Sequence, residues 1–204
     1  MHDTTRVRLE GLTIVGGDYG VLVQESDAVQ ILGGRVVGAR FVGIRLSRAA
    51  ALIQGNEIRA GTGPYGMGIE LANTMSRAES VISGNVVAGA TREGIILHNA
   101  HARIEANTVT GNGLRGVSIN EMSMAMIVKN EIIDNADAGI NVMDSSMAEV
   151  DQNRIAGVRP GPEGHADGIR AFYYAEVMLG RGNRIDIDAD HAVVASFGAT
   201  IERR

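Results

Sequence analysis

The chain has 204 residues, 19 Lys and Arg against 24 Asp and Glu for a formal charge of -5, and no Cys. That length suits one core. The charge offers no basic run to follow a phosphate backbone, which argues against nucleic acid as a partner, and the lack of Cys excludes disulfides, thiolate metal sites and thiol nucleophiles. With 27 Gly, 3 Pro and 3% aromatics the interior is built from small aliphatic side chains. Residues 1–6 lack the apolar stretch of a secretory leader and no apolar run approaches the roughly 20 residues of a membrane helix, so no membrane span is expected and the compartment stays open.

In chain order, a Gly-Ile/Val-x-Leu/Ile/Val segment recurs about every 22 to 23 residues. The copies begin at Gly20, Gly43, Gly68, Gly94, Gly116, Gly139 and Gly168, with a degenerate copy expected at His191-Ala192-Val193-Val194. A second register runs in step: Asn56, Asn85, Asn107, Asn130, Asn153 and Asn183 each precede an Ile or Val by two residues, with Leu12 and Gly34 in the same slot of the first two copies. Three residues before that slot stands an apolar residue, as at Ile31, Ile53, Ile82, Ile104 and Ile127, and five before it a mostly small one, as at Ala51, Ser80 and Ala102.

Each copy therefore reads as three short strands of period-two alternation joined at bends, with Gly and Asn supplying left-handed backbone. Stacking the copies puts Ile, Val and Leu in ladders inside a coil, and the Asn column reads as a structural amide ladder rather than a binding site. An amphipathic helix fails on the spacing, the Leu-x-x-Leu-x-Leu pattern of leucine-rich repeats is missing, and so is a period of six. The fold class is all-β: a right-handed parallel β-helix solenoid of about eight rungs of 22–23 residues, a single domain over residues 1–204 with rungs from about Val7 to Ala195.

Ile82-Ser83-Gly84-Asn85-Val86-Val87 and Ile104-Glu105-Ala106-Asn107-Thr108-Val109 resemble the repeat of the right-handed parallel β-helix superfamily, whose members include pectate lyases, mannuronan C5-epimerases, polygalacturonases, phage tailspikes and periplasmic copper-associated β-helix proteins. The resemblance spans nearly the whole chain. It implies the fold and, through those members, a carbohydrate-active protein with a polysaccharide as partner; the rival class is a non-catalytic polysaccharide-binding or assembly module. Two motifs depart from it: the Asp-Pro-His segment of the epimerases is absent, and no outward column is expected to carry carboxylates on adjacent rungs, which disfavours hydrolysis by a carboxylate pair.

In the Gly-Ile-x-Leu strands the third and fifth residues point outward, forming one column of Arg45, Glu70, Ile96, Ser118, Asn141 and Arg170 and another of Ser47, Ala72, His98, Asn120 and Met143. The Asn slot lies 8 or 9 residues before the next Gly in six rungs but 12 at Asn56 and 15 at Asn153, so Ala60–Tyr65 and Val158–His165 overhang one edge of that sheet, four rungs apart. At ~4.8 Å per strand they wall a trough of roughly 19 Å. For proton abstraction beside a uronate carboxylate, His98 is the expected base and Tyr173 or Tyr65 the acid. Arg45, Glu70, Asn120, Asn141, Arg170 and Tyr65 are the expected substrate-binding residues.

Met122, Met124 and Met126, with Met143, Met147 and Met178, admit a soft-metal reading, but Met covering a sheet face is the expected account and no metal is assigned. No cofactor is assigned either: Asp134, Asp137, Asp144 and Asp151 form no compact Asp-x-Asp-Gly loop for Ca²⁺. Residues 1–6 and Thr200–Arg204 offer only weak end caps, which predicts a homo-oligomer or a neighbouring domain.

Overall fold

The computed structural model describes residues 1–3, 6–187 and 190–204. Among these residues, eight rungs each deliver one strand to each of three parallel sheets, in the order first, second, third along the chain, and a last strand adds to the first sheet alone. The first sheet has nine strands, from Arg8–Glu10 to Thr200–Arg203; the second has eight of three residues each, from Thr13–Val15 to Arg184–Asp186; the third has eight, from Tyr19–Gln24 to His191–Ala195. Like residues stack on like. Ile31, Ile53, Ile82, Ile104, Ile127 and Val150 pair in register up the first sheet, and Val21, Ile44, Ile69, Ile95, Val117, Ile140 and Ile169 up the third. The inward side chains are almost wholly buried, each contributing roughly 1.5–3 kcal/mol of apolar transfer.

The asparagine column is a continuous ladder inside the bend between the first and second sheets. Asn107 Oδ1 accepts from both the backbone N–H and the side-chain amide of Asn85, each at 2.9 Å, while the Asn107 amide donates to Ile82 O and to Asn130 Oδ1. The same pattern runs from Asn56 to Asn183. A shorter ladder, Asn112 to Asn135, lines the next bend.

The left-handed backbone lies elsewhere than the sequence suggests. At the asparagine bend it is the preceding residue that has positive φ: Gly84, but also Ala106 at 54°, Lys129 at 58° and Gln152 at 56°. The glycines of the Gly-Ile-x-Leu segments have ordinary φ and are small for a different reason. A Cβ on Gly116 would lie 2.5 Å from Ile132 Cγ2 and 2.7 Å from the Gly139 carbonyl oxygen, so the third sheet closes on the second only where no side chain intervenes.

The degenerate eighth copy is displaced by one residue from its expected register. Val193 pairs with Ile169 and Val194 with Arg170, so Ala192, not His191, takes the glycine position. At the other end, residues 1–3 add to the free edge of the third sheet: the Met1 ammonium donates to Leu22 O at 2.8 Å and Gln24 N–H donates to Met1 O at 2.8 Å.

Candidate functional site

The outer face of the third sheet collects the polar residues. Three local features hold it. The strands place alternate side chains outward, the 60–66 segment is tied to the fourth rung by Thr91 N–H to Gly61 O and Arg92 N–H to Gly66 O, and the 158–165 segment lays Gly161 so tightly over Asp137 that a Cβ would come within 2.5 Å of its Cβ. Both segments wall one cavity of about 360 Å³, with Pro64 and Tyr65 on one side and Pro162 and Glu163 on the other. Thr91, Arg92, Gly113, Leu114, Arg115 and Asp137 complete the lining, so the two insertions face one another across this cavity, and of the expected site residues only Tyr65 lines it.

Under the walls lies a buried ionic network that the repeat pattern does not single out. Arg170 is buried, hydrogen-bonded to both oxygens of Asp137, to Asn141 Oδ1 at 3.0 Å and to Asp167 Oδ2 at 3.4 Å. Arg115 Nε donates to Asp137 at 2.8 Å and its guanidinium lies 3.7 Å from Glu93, which is fully buried. Glu93 Oε2 is 3.4 Å from Arg92 Nε without hydrogen-bonding geometry. Burial pushes the Asp137 carboxyl up, but the hydrogen bond and charge of Arg170, followed by those of Arg115, outweigh it and hold the group below its ordinary range. Asp137 and Asp167 sit on neighbouring strands. They are out of register, Asp137 opposite Ala166 and Asp167 opposite Ala138, so they share no column; Asp137 precedes its glycine by two residues and Asp167 by one, outside the columns counted from the Gly-Ile-x-Leu motif.

A second cluster lies on the fourth rung toward the opposite edge. His98 Nδ1 is 3.1 Å from Glu121 Oε1, and the imidazole is one-quarter exposed. On the neighbouring strand Glu70 is buried and ion-paired to Arg45 at 3.0 Å. Burial pushes the Glu70 carboxyl up, with the charges of Arg45 and then His98 offsetting part of the effect. Asn120, in register with His98, accepts from Ser118 Oγ at 2.9 Å, and Asn141 donates to the same hydroxyl at 3.2 Å.

The expected site residues thus fall into separate places. His98, Glu70, Arg45 and Asn120 share adjoining strands. Asn141 and Arg170 belong to the buried network. Tyr65 is exposed on the loop wall. Tyr173 follows the strand Ala166–Ala171, three strands from that of His98 or roughly 14 Å at strand spacing, with its ring stacked on Phe197 at 5.0 Å. Sequence reasoning missed Arg92, Glu93, Arg115 and Asp167, weighed Asp137 only as a Ca²⁺ ligand, and gave Glu121, just beyond its strand, no role. A charge immediately before the glycine in three of the copies, at Glu93, Arg115 and Asp167, was the available signal. Among the described residues, no group of three or more His, Asp or Glu side chains is placed to hold a metal ion, and no helix is long and apolar enough to cross a membrane.

A family model described as a right handed beta helix region matches residues 1–155 and, in a second alignment, 67–202. No curated protein matches the chain. Among solved structures, the periplasmic alginate epimerase AlgG is similar at 16% identity and a TM-score of 0.69, over 96% of this chain and 50% of that one. The A-module of the mannuronan C-5 epimerase AlgE4 of Azotobacter vinelandii is similar at 13% identity and a TM-score of 0.72, over 98% of this chain and 59% of that one. The chain therefore spans between half and three-fifths of the length of these structures, and at such identities the likeness is one of fold.

Proposed function

Because the chain belongs to the right-handed β-helix family, we propose that it acts on a uronate-containing polysaccharide lying along the outer face of the third sheet, as an epimerase or lyase. The observation that carries this reading is the juxtaposition on adjoining strands of His98, held through Nδ1 by Glu121, with Glu70, a buried carboxyl pushed up beside Arg45. A proton α to a carboxylate leaves readily only when the enolate charge is neutralised and a base stands ready. With Nδ1 engaged, His98 Nε2 is the nitrogen that takes the C5 proton. The electron pair of the C5–H bond moves into the carboxylate, where Arg45 and the Asn120 amide neutralise the developing charge. Glu70 keeps its proton to higher pH than an exposed carboxyl and so serves as the acid: protonating C5 on its other face inverts that centre, and protonating O4 as the C4–O4 bond breaks cleaves the chain. Tyr173, three strands away, is given no proton-transfer role in this scheme. Arg92 and Arg115 on the trough floor would receive neighbouring uronate carboxylates.

A second reading, a non-catalytic binding module, is favoured by the mutual saturation of Asn141 and Arg170, whose polar atoms are spent on Ser118, Asp137, Asp167 and each other. Exchange of the C5 proton in deuterated water and ultraviolet absorbance of new unsaturated ends, followed on alginate and pectate, separate the two. Turnover that falls about 10²–10⁴-fold in His98→Ala and Glu70→Gln supports the catalytic scheme. Binding without exchange or elimination assigns the module reading, and neither binding nor turnover removes both.

A further inference from the structure

The outer face of the first sheet carries a feature that polysaccharide chemistry does not use. His101, Met124 and Met147 stand in one register column on three successive strands, and Glu176 follows in the same column. They line a cavity of about 520 Å³ on that face, together with Glu79 and Glu149. Met124 is 49% and Met147 40% exposed, an unusual place for two thioethers if their task were only to fill a core. His101 Nε2 is buried yet has no hydrogen-bond partner, and a buried ring nitrogen without one calls for an explanation.

We infer that His101, Met124 and Met147 form a binding site for a soft monovalent d¹⁰ cation, Cu(I) in chemistry, set in register on the first sheet. Thioether sulfur and imidazole nitrogen are donors that suit Cu(I) and not Mg²⁺ or Ca²⁺. Adjacent strands set the donors ~4.8 Å apart, and the flexible Met side chains close that gap from either side of Met124. All three donors are uncharged when they bind. The carboxylates of Glu79, Glu149 and Glu176 around the cavity supply the negative field that draws a cation in. Met126 is excluded from the ligand set, because its sulfur lies 2.8 Å from the Arg103 guanidinium, which is itself paired with Glu105.

The site is tested on the whole chain with methyl-labelled Met by NMR titration with Ag(I), a redox-inert stand-in, and with Cu(I) under anaerobic reducing conditions against a chromophoric chelator. One equivalent is expected to bind, shifting the Met124 and Met147 methyl signals and leaving Met143, which does not line the cavity, in place. Met124→Leu and Met147→Leu keep volume and are expected to keep the fold while lowering affinity by about 10–100-fold or more; His101→Gln does the same. Unchanged affinity in all three variants, or a wild-type protein that yields Cu(I) to the chelator without shifting either methyl, overturns the assignment. Polysaccharide turnover plays no part in either readout, so this site and the trough fail or stand separately.

Discussion

At the scale of single residues the bends distinguish two reasons for a glycine. Gly111 has a φ of +65° and open space where a Cβ would go, whereas Gly116 has ordinary φ but no room against Ile132 and the Gly139 carbonyl. Gly111→Ala is expected to cost about 1–2 kcal/mol, the left-handed penalty alone. Gly116→Ala should cost more, about 3 kcal/mol or above, because the closed contact is backbone and cannot give way; urea unfolding of the two variants checks the order. Asp137 behaves differently again. Its folded-state carboxyl sits below the ordinary range, so its stabilisation is complete above the ordinary aspartate pKa and is lost as pH falls through the depressed folded value. Asp137→Asn leaves buried Arg170 with only its longer ion pair to Asp167 and is expected to destabilise by about 3–5 kcal/mol at neutral pH, with the difference from wild type shrinking as the solution is acidified. A difference that stays constant with pH would contradict the ion-pair account.

At the scale of elements, the asparagine ladder unites the rungs more than any single strand does. Removing one amide from its middle orphans polar groups on the preceding rung: in Asn107→Ala the Asn85 N–H and the Ile82 carbonyl lose this partner, and the Asn85 side-chain amide keeps only its bond to Ile53 O. Two or three such groups at about 1–3 kcal/mol each predict a loss of roughly 2–5 kcal/mol, measured as a drop in unfolding midpoint that the end position Asn183→Ala, half-exposed and with one neighbour fewer, should not match. The ladder was legible in the sequence because a column of one residue type at a fixed period has few other causes. Its backbone was not. Ala106, Lys129 and Gln152 are drawn into left-handed turns by the stacking of the rungs, against their own preference, and no local signal marks them. The trough walls were legible for a similar reason to the ladder, since an insertion in a periodic chain announces its rung. What they cover was hidden, because Glu93, Asp137 and Asp167 lie on the margins of the motif and become a site only when neighbouring strands bring Arg115 and Arg170 against them.

For the whole molecule, protection is expected to follow rung number. Inward residues of the middle rungs, such as Ile82, Leu97, Ile119 and Ile140, are fully buried, whereas the terminal strands Arg8–Glu10, Thr13–Val15, Arg184–Asp186 and His191–Ala195 contain no fully buried residue. Because each rung packs chiefly on its neighbours, stability accumulates toward the centre. Amide hydrogen exchange should therefore be slowest across Ile82 to Val142 and fall toward both ends; uniform protection would show one cooperative unit. The sequence by itself determined the period, the inward ladders, the three-strand rung and the two overhanging segments, since each is written as a repeat or a break in one and burial enforces it at every turn. Only the tertiary structure decided which polar residues meet. The pairings of Arg170 with Asp137, His98 with Glu121, and His101 with Met124 join residues 23 to 33 positions apart, and they depend on the side-chain reach and desolvation that stacking creates, quantities that no single rung contains.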